Sequence, residues 1–347
     1  MDVKTIIQPI QSVNTKRLDE IALMRPILII LVVLYHAMAI HTGNWSLPEG
    51  TVQIGLYAAV GRIAYIFMLE SFVFISGYLY AYQRSKRGED NFSMLVRKKW
   101  KRLLLPCWLF GILYALMFGW SSSILETIMA VITGIGHLWF LFMLFGCFVI
   151  TWVLLFLKFR IWFIMLLLFV VSLFSFIILP FQLSNLMYFL FFFFMGFYFY
   201  SGRQFFVKKI RILHIICAWL LFVLLYILLD YARAYCKNIL EEGEMLEVCK
   251  KAVRVIYSFI GTVAFYLTSL FIMRNRKLPK WYVEVGMACF GVYIFQQFVL
   301  HILYYETHLP SLLEPTVLPW LAFVITLIVS MALTWLIRRT ELGRQML

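Results

Sequence analysis

Apolar runs of roughly 18–22 residues recur along most of this chain, and no other sequence feature limits its fold as strongly. A helix rises about 1.5 Å per residue, so each run is long enough to cross the roughly 30 Å hydrocarbon core of a bilayer. With 63% hydrophobic and 14% charged residues, a chain of 347 residues cannot bury these runs in a water-soluble core. The runs are continuously apolar, whereas the strands of a membrane barrel alternate. We therefore predict an all-α polytopic membrane protein and exclude an ordinary soluble enzyme.

Apolar windows of about 19 residues predict ten transmembrane helices. They lie at 21–40, 58–82, 103–120, 136–157, 161–179, 185–201, 211–230, 253–273, 285–305 and 316–337. No polar stretch is longer than about 20 residues, which leaves no room for a folded soluble region. We expect one transmembrane domain over residues 1–347 and no separate soluble domain. The first span lacks a small-residue cleavage site and is expected to be retained as a helix.

Lysine and arginine residues collect on one side of the predicted spans. If the N-terminus is cytoplasmic, the inner segments carry 24 of the 31 basic residues, and the outer loops carry five, all within residues 231–254. Because an excess of basic residues marks the cytoplasmic side, we predict that both termini are inside and that the protein lies in the cytoplasmic membrane. The net charge of +14 is therefore explained by this topology, together with some attraction to anionic lipid. Nucleic-acid binding is not needed to explain it.

The six cysteines give no sign of a metal site, because they form no CxxC pair and four of them lie within predicted spans. We therefore expect no metal. Cys236 and Cys249 share the outer loop, where a disulfide is permitted if the compartment is oxidising.

Ionisable side chains are few within the predicted spans, and such residues usually face a cavity or a partner because a charge in lipid is costly. Arg25 and His36 are eleven residues apart, about 16 Å along a helix and about 20° from eclipsed, so they share one face. Arg62 is expected at the depth of His36 and Glu70 nearer the midplane, while His137 opens the fourth span on the outer side. The outer third of the bundle should thus collect two histidines and an arginine.

Each of these residues also has a purely structural interpretation. Arg25 lies near the cytoplasmic end, where a snorkelling anchor is common, and His36 could be a hydrogen-bonded packing residue. The outer layer itself could be a scatter of unrelated interface residues. Arg62 and Glu70 could pair with each other or with the histidine, but they are roughly 12 Å and 80° apart on one helix, which disfavours direct contact between them.

A basic run precedes Pro106 at the start of the third span and contains Arg97, Lys98, Lys101 and Arg102. One interpretation is a topology signal that keeps this end in the cytoplasm. The other is an anion site, because arginine and lysine placed a turn apart can hold the phosphates of a nucleotide-bearing cosubstrate. Trp139 fits the aromatic belt of a membrane interface.

Several segments, taken in order, resemble the signatures of the acyltransferase 3 family of membrane acyltransferases. They are Arg25 to His36, Phe74-Ile75-Ser76-Gly77-Tyr78, the basic run ending at Pro106, His137-Leu138-Trp139, and Phe290 to Phe295. Ten spans with both ends cytoplasmic are also the architecture of that family, so the resemblance covers the whole chain. The sequence departs from the family pattern twice. Glu70 stands where proline is frequent, and Gln296-Gln297 stands where a histidine is common.

The resemblance implies transfer of an acyl group, most often acetyl from cytoplasmic acetyl-CoA, to a hydroxyl of a glycan or glycolipid at or beyond the outer face. It implies that His36 is the base, since an imidazole titrates near neutral pH, and that Arg25, Glu70 and Arg62 complete the catalytic group. It also implies acyl-CoA binding by one set of residues and acceptor binding by another. The first set is Arg97, Lys98, Lys101, Arg102, Ser76 and Tyr78, and the second is His137 and Trp139.

The sequence leaves open whether transfer is direct or passes through an acyl-histidine, and whether the group is acetyl or succinyl. It also leaves open the acceptor and the oligomeric state. A transporter or a flippase of a lipid-linked glycan is the alternative function, with His36, Arg62 and Glu70 as a midplane site. A glycan polymerase is a third. Against these alternatives, the chain has no internal repeat, no matched pair of Gly/Pro-broken helices and no second long outer loop.

Overall fold

The structure, a computed structural model, describes residues 18–88, 91–119, 123–239 and 243–347, with the side chains of 87, 229–230 and 232–239 left aside. Regular structure within these ranges is helical throughout. The helices are α1 (Asp19–Ala37), α2 (Ala39–Thr42), α3 (Gly55–Tyr65), α4 (Met68–Arg87), α5 (Phe92–Lys99), α6 (Leu105–Phe118), α7 (Ile124–Thr133), α8 (Trp139–Phe156), α9 (Ile161–Leu173), α10 (Leu183–Ser201), α11 (Arg203–Lys209), α12 (Ile212–Ile239), α13 (Glu244–Met273), α14 (Lys280–His301), α15 (Leu309–Leu312), α16 (Leu318–Ile337) and α17 (Glu341–Met346). A π-helical turn, Trp100–Leu104, joins α5 to α6, and a second one, Ile302–Glu306, follows α14.

Eight helical segments of the described chain are long and apolar enough to cross a membrane. A ninth is obtained if α11 and the first part of α12, which are bent by 107° at their junction, count as one span. The eight are Asp19–Ala37, Gly55–Lys86, Phe92–Phe118, Gly136–Phe156, Leu183–Ser201, Glu244–Met273, Lys280–Glu306 and Leu318–Ile337. The predicted all-α, multi-span architecture is therefore confirmed.

The number of spans differs from the predicted ten at 161–179. There the chain forms α9, which has 13 residues and is about 20 Å long, too short to cross a bilayer. Beyond α9 the chain leaves the helical conformation, and Phe181 and Gln182 have positive φ angles of 55° and 58° before α10 begins. The predicted second span is also interrupted, at residues 66–67 between α3 and α4.

Two predictions involve residues that the structure does not describe. The cytoplasmic charge count includes Lys4, Lys16 and Arg17, and the possible disulfide includes the side chain of Cys236. Cys249 forms no disulfide with any cysteine whose side chain is described, and a bond to Cys236 stays a prediction. The cytoplasmic location of both termini and the single transmembrane domain over residues 1–347 stay predictions as well.

The chain divides into two compact units whose segments alternate along the sequence. The Glu70 unit comprises the described part of Met1–Ile21, Leu69–Cys107 and Trp139–Lys277. The His36 unit comprises Ala22–Met68, Trp108–Leu138 and Leu278–Leu347.

In the Glu70 unit, α4 and α10 cross where two glycines allow the backbones to touch. A Cβ built on Gly77 would lie 1.9 Å from the carbonyl oxygen of Phe193, and one built on Gly196 would lie 1.9 Å from that of Phe74. Small residues at helix crossings permit close van der Waals packing, which holds helices together in a membrane. A buried ion pair joins the start of α1 to α11, where the Arg203 guanidinium donates to both Glu20 oxygens at 2.6 and 3.1 Å.

In the His36 unit, α1 and α14 run side by side in the same direction. Near the start of both helices, the Tyr282 hydroxyl donates to the Leu23 carbonyl at 2.7 Å. Near their ends, the Tyr304 hydroxyl, in the π-helical turn after α14, donates to the Ala37 carbonyl at 2.6 Å. Pro26 lies within α1 and lacks an N–H, but the helix continues to Ala37 and keeps Arg25 and His36 on one face.

Candidate active site

His36 has one ring nitrogen engaged and the other available. Its Nδ1 lies 2.9 Å from the Val32 carbonyl oxygen, one turn earlier in α1. A carbonyl oxygen can only accept, so Nδ1 carries the proton and Nε2 carries a lone pair. Within the described chain no residue forms a hydrogen bond to Nε2. In its neutral form the half-buried imidazole therefore presents Nε2 as a free basic nitrogen.

Two aromatic rings lie beside His36 near the C-terminal end of α1. Tyr35 meets the imidazole edge-on with the ring centroids 5.0 Å apart, and Trp45 lies 6.2 Å away in a tilted arrangement. These rings restrict the imidazole without offering it a charge. The same unit also holds His137 close enough to His36 for the two rings to interact electrostatically.

His137 is held by α14 in the opposite tautomer. Its Nε2 donates to the Ile294 carbonyl at 3.0 Å, and the Tyr293 hydroxyl donates to the His137 carbonyl. Nδ1 is therefore the lone-pair nitrogen, and it is buried with no hydrogen-bond partner among the described residues. Gly136 makes this placement possible, because it adopts a φ of +55° and a Cβ there would lie 3.3 Å from the Gln297 Oε1.

Of the other predicted catalytic residues, Arg25 and Arg62 also belong to the His36 unit. Arg25 is half-buried and lies near enough to Cys289 of α14 for an electrostatic interaction. Arg62 is exposed on α3. The structure thus brings His36 and His137 together and leaves Arg62 on the surface of its unit.

Glu70 belongs to the other unit, where its partners come from α10 and α13. The Tyr188 hydroxyl donates to Glu70 Oε1 at 2.7 Å, and Arg254 Nη2 lies 4.0 Å from the same oxygen. Glu70 is 1% exposed and Arg254 31% exposed. The cation that accompanies Glu70 is therefore Arg254, which the sequence interpretation had counted only among outer-loop charges.

The Ser76–Tyr78 segment makes structural contacts. The Ser76 hydroxyl donates to the Phe72 carbonyl of its own helix at 2.9 Å. Tyr78 is fully buried, and its hydroxyl donates to Glu20 Oε1 at 3.1 Å. Gly77 between them lies at the crossing with α10. Ser76 thus bonds within α4 and Tyr78 bonds to α1, while Gly77 alone of the three is shown against α10. Donor binding by Ser76 and Tyr78 stays a prediction.

The basic run presents its charges outward from a continuous helical segment. Its four predicted anion-binding side chains, Arg97, Lys98, Lys101 and Arg102, are exposed. Spacings of four residues, 97 to 101 and 98 to 102, put them on one face. Lys99 turns the other way and lies 3.6 Å from the centroid of the Phe148 ring. The π-helical turn that begins at Trp100 is a local distortion of the kind that is frequent at functional sites.

Trp139, a predicted acceptor-site residue, is half-buried against Phe189, with ring centroids 6.0 Å apart, and its role in acceptor binding stays a prediction. The sequence interpretation gave Gln296 no functional role. Gln296 is fully buried with both amide atoms unpartnered among the described residues. Its only signal in the sequence was the departure from the usual histidine.

Another histidine, His41, is buried in the short helix α2, outside the candidate spans. Its Nδ1 accepts a hydrogen bond from the Ile54 N–H at 3.2 Å, and its ring meets Tyr57 edge-on. Burial lowers the pKa of His41, because the charged imidazolium loses its hydration. His41 therefore serves as a neutral structural residue.

Among the described residues no group of three or more His, Cys, Asp and Glu side chains could hold a metal ion. Two neutral imidazoles with one lone pair each, beside a helix that carries an arginine on the same face, are suited to proton transfer from a hydroxyl group. No curated protein and no solved structure matches the chain. A comparison with protein-family models matches residues 18–339 to the acyltransferase domain of the family that the sequence motifs resemble. The chain belongs to the acyltransferase 3 family and is a multi-pass membrane acyltransferase.

Proposed function

We propose that this acyltransferase moves an acyl group, acetyl in the first instance, from cytoplasmic acyl-CoA to a hydroxyl of a cell-surface or exported glycan or glycolipid. We place it in the cytoplasmic membrane, with His36 as the general base. The observation that carries the proposal is the tautomer of His36, which leaves Nε2 free on the same helix face as Arg25.

The reaction balances with one base. The acceptor hydroxyl oxygen attacks the thioester carbonyl carbon while its proton moves to His36 Nε2. The carbon–sulfur bond then breaks, and the imidazolium returns the proton to the leaving sulfur, which gives an ester and the coenzyme thiol. A base of near-neutral pKa suits both proton transfers.

The donor end of the site is assigned to the positive charges. Within the His36 unit the candidate is Arg25, about 16 Å from His36 along α1. Within the Glu70 unit the separate candidate is the exposed face of Arg97, Lys98, Lys101 and Arg102. Phosphates of the coenzyme bind such side chains through charge-assisted hydrogen bonds. Arg25 is therefore assigned to the donor side of the site and not to the chemical step.

The acceptor end is assigned to His137, whose buried Nδ1 can accept a hydrogen bond from a sugar hydroxyl. Because His137 is fixed by main-chain atoms of α14, it can orient that hydroxyl toward the neighbouring imidazole. Glu70 and Arg62, also predicted to be catalytic, are kept as candidates for contacts with the acceptor.

The test is His36→Asn. The asparagine side-chain amide can still donate to the Val32 carbonyl but has no atom at the place of Nε2, so the helix contact survives and the base is lost. Removing a general base lowers the rate by roughly 10²–10⁴-fold. Transfer of labelled acetyl from acetyl-CoA to acceptor membranes of cells lacking the protein measures the rate, and mass spectrometry of surface glycans identifies the product.

His214→Asn is the matched control, because His214 is an exposed histidine whose Nδ1 accepts only the Arg211 N–H. It should transfer at the wild-type rate. Cells with His36→Asn should still assemble and export the unmodified glycan. Loss of that glycan would favour a flippase, and full activity of His36→Asn would refute the assignment of the base.

A further inference from the structure

A turn after α2 holds Trp45 beside His36. The helix ends at Gly43, whose φ of +82° is the left-handed conformation that glycine adopts without strain. The Trp45 N–H then donates to the Ala39 carbonyl at 3.3 Å, which fixes the position of the loop on the helix. In this position the Trp45 indole meets the His36 imidazole with 6.2 Å between the ring centroids. The backbone therefore holds a tryptophan next to the proposed base.

The indole of Trp45 is packed within the His36 unit. Its ring meets Tyr304 edge-on and Tyr305 at a tilt, with the centroids 6.3 Å apart in both pairs. Trp45 itself lies in the loop between the candidate spans Asp19–Ala37 and Gly55–Lys86. A tryptophan that only anchors a helix end at the membrane interface needs none of these contacts. The contacts leave its position explained and its polar atom unused.

Two nitrogen atoms at this place have no hydrogen-bond partner in the described chain. One is Nε1 of Trp45, which is a donor, and the other is Nε2 of His36, which is the lone-pair nitrogen. Both rings are half-buried, yet neither nitrogen is among the enclosed polar atoms that lack a partner, so water reaches each of them. A bound molecule can therefore reach both the donor and the base.

Asn44, the residue before Trp45, adds an oriented acceptor. Its Nδ2 donates to the Tyr35 hydroxyl and to Thr42 Oγ1, both at 2.9 Å. The Thr42 hydroxyl gives its own proton to the Ala39 carbonyl at 3.0 Å, so it accepts from Asn44 and fixes the direction of the amide. The exposed Asn44 Oδ1 has no partner among the described residues. Consecutive residues thus present one donor and one acceptor.

The chemistry of these groups selects a sugar. A donor, an acceptor and a base lie among aromatic rings, and this combination suits a ligand with several hydroxyls on a carbon framework. Hydroxyl oxygens of one pyranose are about 3–5 Å apart, which suits groups whose ring centroids are 6.2 Å apart. A simple alcohol would give its single hydroxyl to the base and leave the indole N–H and the amide oxygen unpaired.

The charges near the site favour a neutral sugar. Residues 43–54 and 302–317 are neighbouring segments, because the Tyr305 hydroxyl donates to the Ser46 carbonyl at 2.8 Å. Neither segment contains a lysine or an arginine. Their carboxylates are those of Glu49, Glu306 and Glu314. A uronic acid or a sugar phosphate would meet like charges here without a cation to offset them, whereas a neutral sugar would not.

We propose that Trp45 and Asn44 bind a neutral sugar residue of the acceptor. The indole N–H donates to one hydroxyl oxygen of that sugar, and Asn44 Oδ1 accepts from another hydroxyl. A further hydroxyl is thereby turned toward His36 Nε2, which takes its proton. The inference rests on the proposed function, because it takes His36 as the base and a glycan or glycolipid as the acceptor.

Trp45→Phe tests the site, because it keeps an aromatic ring and removes the indole N–H. Transfer of labelled acetyl is measured with increasing amounts of acceptor membranes from cells lacking the protein, and separately with increasing acetyl-CoA. The apparent KM for the acceptor should rise about fivefold, the worth of one hydrogen bond, and the KM for acetyl-CoA should change by less than about twofold. Asn44→Ala should raise the acceptor KM in the same way.

Trp320→Phe is the matched control. Trp320 is a partly exposed tryptophan of the same unit, and its ring meets Tyr57 with the centroids 6.0 Å apart. Both KM values should stay at the wild-type level in this variant. An unchanged acceptor KM in Trp45→Phe would overturn the inference, as would an equal rise in Trp320→Phe. A parallel rise in the KM for acetyl-CoA would show a general structural effect and would overturn it too.

The class of sugar has its own readout. Mass spectrometry of the wild-type product should locate the acetyl group on a neutral sugar residue. An acetyl group on a uronic acid or a phosphorylated sugar would overturn the inference and leave the acyltransferase activity established. The proposed function fails separately, and this inference with it, if His36→Asn transfers acetyl at the wild-type rate.

Discussion

Adding one methyl group at Gly77 tests what holds α4 against α10. The new Cβ would come within 1.9 Å of the Phe193 carbonyl oxygen, and a Cβ at Gly196 would come equally close to the Phe74 carbonyl oxygen. Both obstacles are backbone atoms, which cannot turn aside as a side chain can. An ordinary contact between carbon and oxygen is about 3.3–3.6 Å, so the two helices must separate by about 1.5 Å.

The energetic consequence follows from that separation. A gap of about 0.5–1 Å already removes a quarter to a half of the dispersion energy of a contact, so about 1.5 Å removes most of it at the crossing. We expect Gly77→Ala to lower the free energy of unfolding by about 3 kcal/mol, at the upper end for an overpacked site. Gly196→Ala should cost as much. Because either methyl group forces the same separation, the double variant should fall short of the sum by about 2 kcal/mol.

Unfolding in mixed micelles, titrated with a denaturing detergent and followed by tryptophan fluorescence, measures these differences. Gly286→Ala is the matched control, since the nearest atom to its Cβ would be the Pro26 Cγ at 3.7 Å, an ordinary contact. It should be neutral or stabilising by up to about 1 kcal/mol, because alanine favours a helix over glycine. Unchanged stability of Gly77→Ala, or additive single variants, would refute the packing argument. Loss of acyl transfer without loss of stability would instead support the donor-binding role that the resemblance implies for this segment.

Three further outcomes are expected. Arg203→Met should cost about 3 kcal/mol in the same titration, because it leaves the Glu20 carboxylate buried without its cation. Replacing Lys101 and Arg102 together by alanine should raise the KM for acyl-CoA roughly fivefold at low salt, with kcat unchanged, and the difference should shrink as salt screens the charges. Because burial lowers the pKa of His41 below its unfolded value of about 6.5, the unfolded chain binds more protons and melting temperature should fall with pH below about 6.5. His41→Asn, which keeps an acceptor for the Ile54 N–H, should show a shallower fall.

A specific result would contradict each of these three predictions. Wild-type stability of Arg203→Met would mean that Tyr78 alone satisfies Glu20. A salt-independent change in KM, or a change in kcat, would mean that the basic run acts through the fold and not through phosphates. An unaltered pH dependence in His41→Asn would place the titrating group elsewhere.

The long apolar runs of the sequence predicted most of the helices, because a chain segment in a membrane has few alternatives to the helix. Backbone hydrogen bonds must be satisfied within each span, so a long apolar run becomes a helix whatever surrounds it. The departure at 161–179 has a local cause too. The hydrophobicity of a 19-residue window contains no information about backbone conformation. It therefore missed that the helix ends before Pro180 and that Phe181 and Gln182 have positive φ.

The site was predictable only where it depends on one helix. The spacing of Arg25 and His36 fixes their shared face, because the helical period requires nothing beyond α1. The partner of Glu70 could not be found this way, since Tyr188 and Arg254 come from helices far along the chain. Gln296 was visible only as a departure from a family pattern, because an unsatisfied amide is a property of packing and leaves no local signal.

The two imidazoles show how backbone geometry decides chemistry that residue identity leaves open. His36 lies four residues after Val32 in an unbroken helix, and the carbonyl there takes the Nδ1 proton. His137 lies in a short helical turn before α8, and the carbonyl that accepts from its Nε2 belongs to Ile294 of α14. The same residue type therefore presents a different nitrogen at each place. If His36 instead protonated Nε2, the acceptor would meet a donor where it needs a base, so the i−4 carbonyl of Val32 is as necessary to the proposed reaction as the imidazole itself.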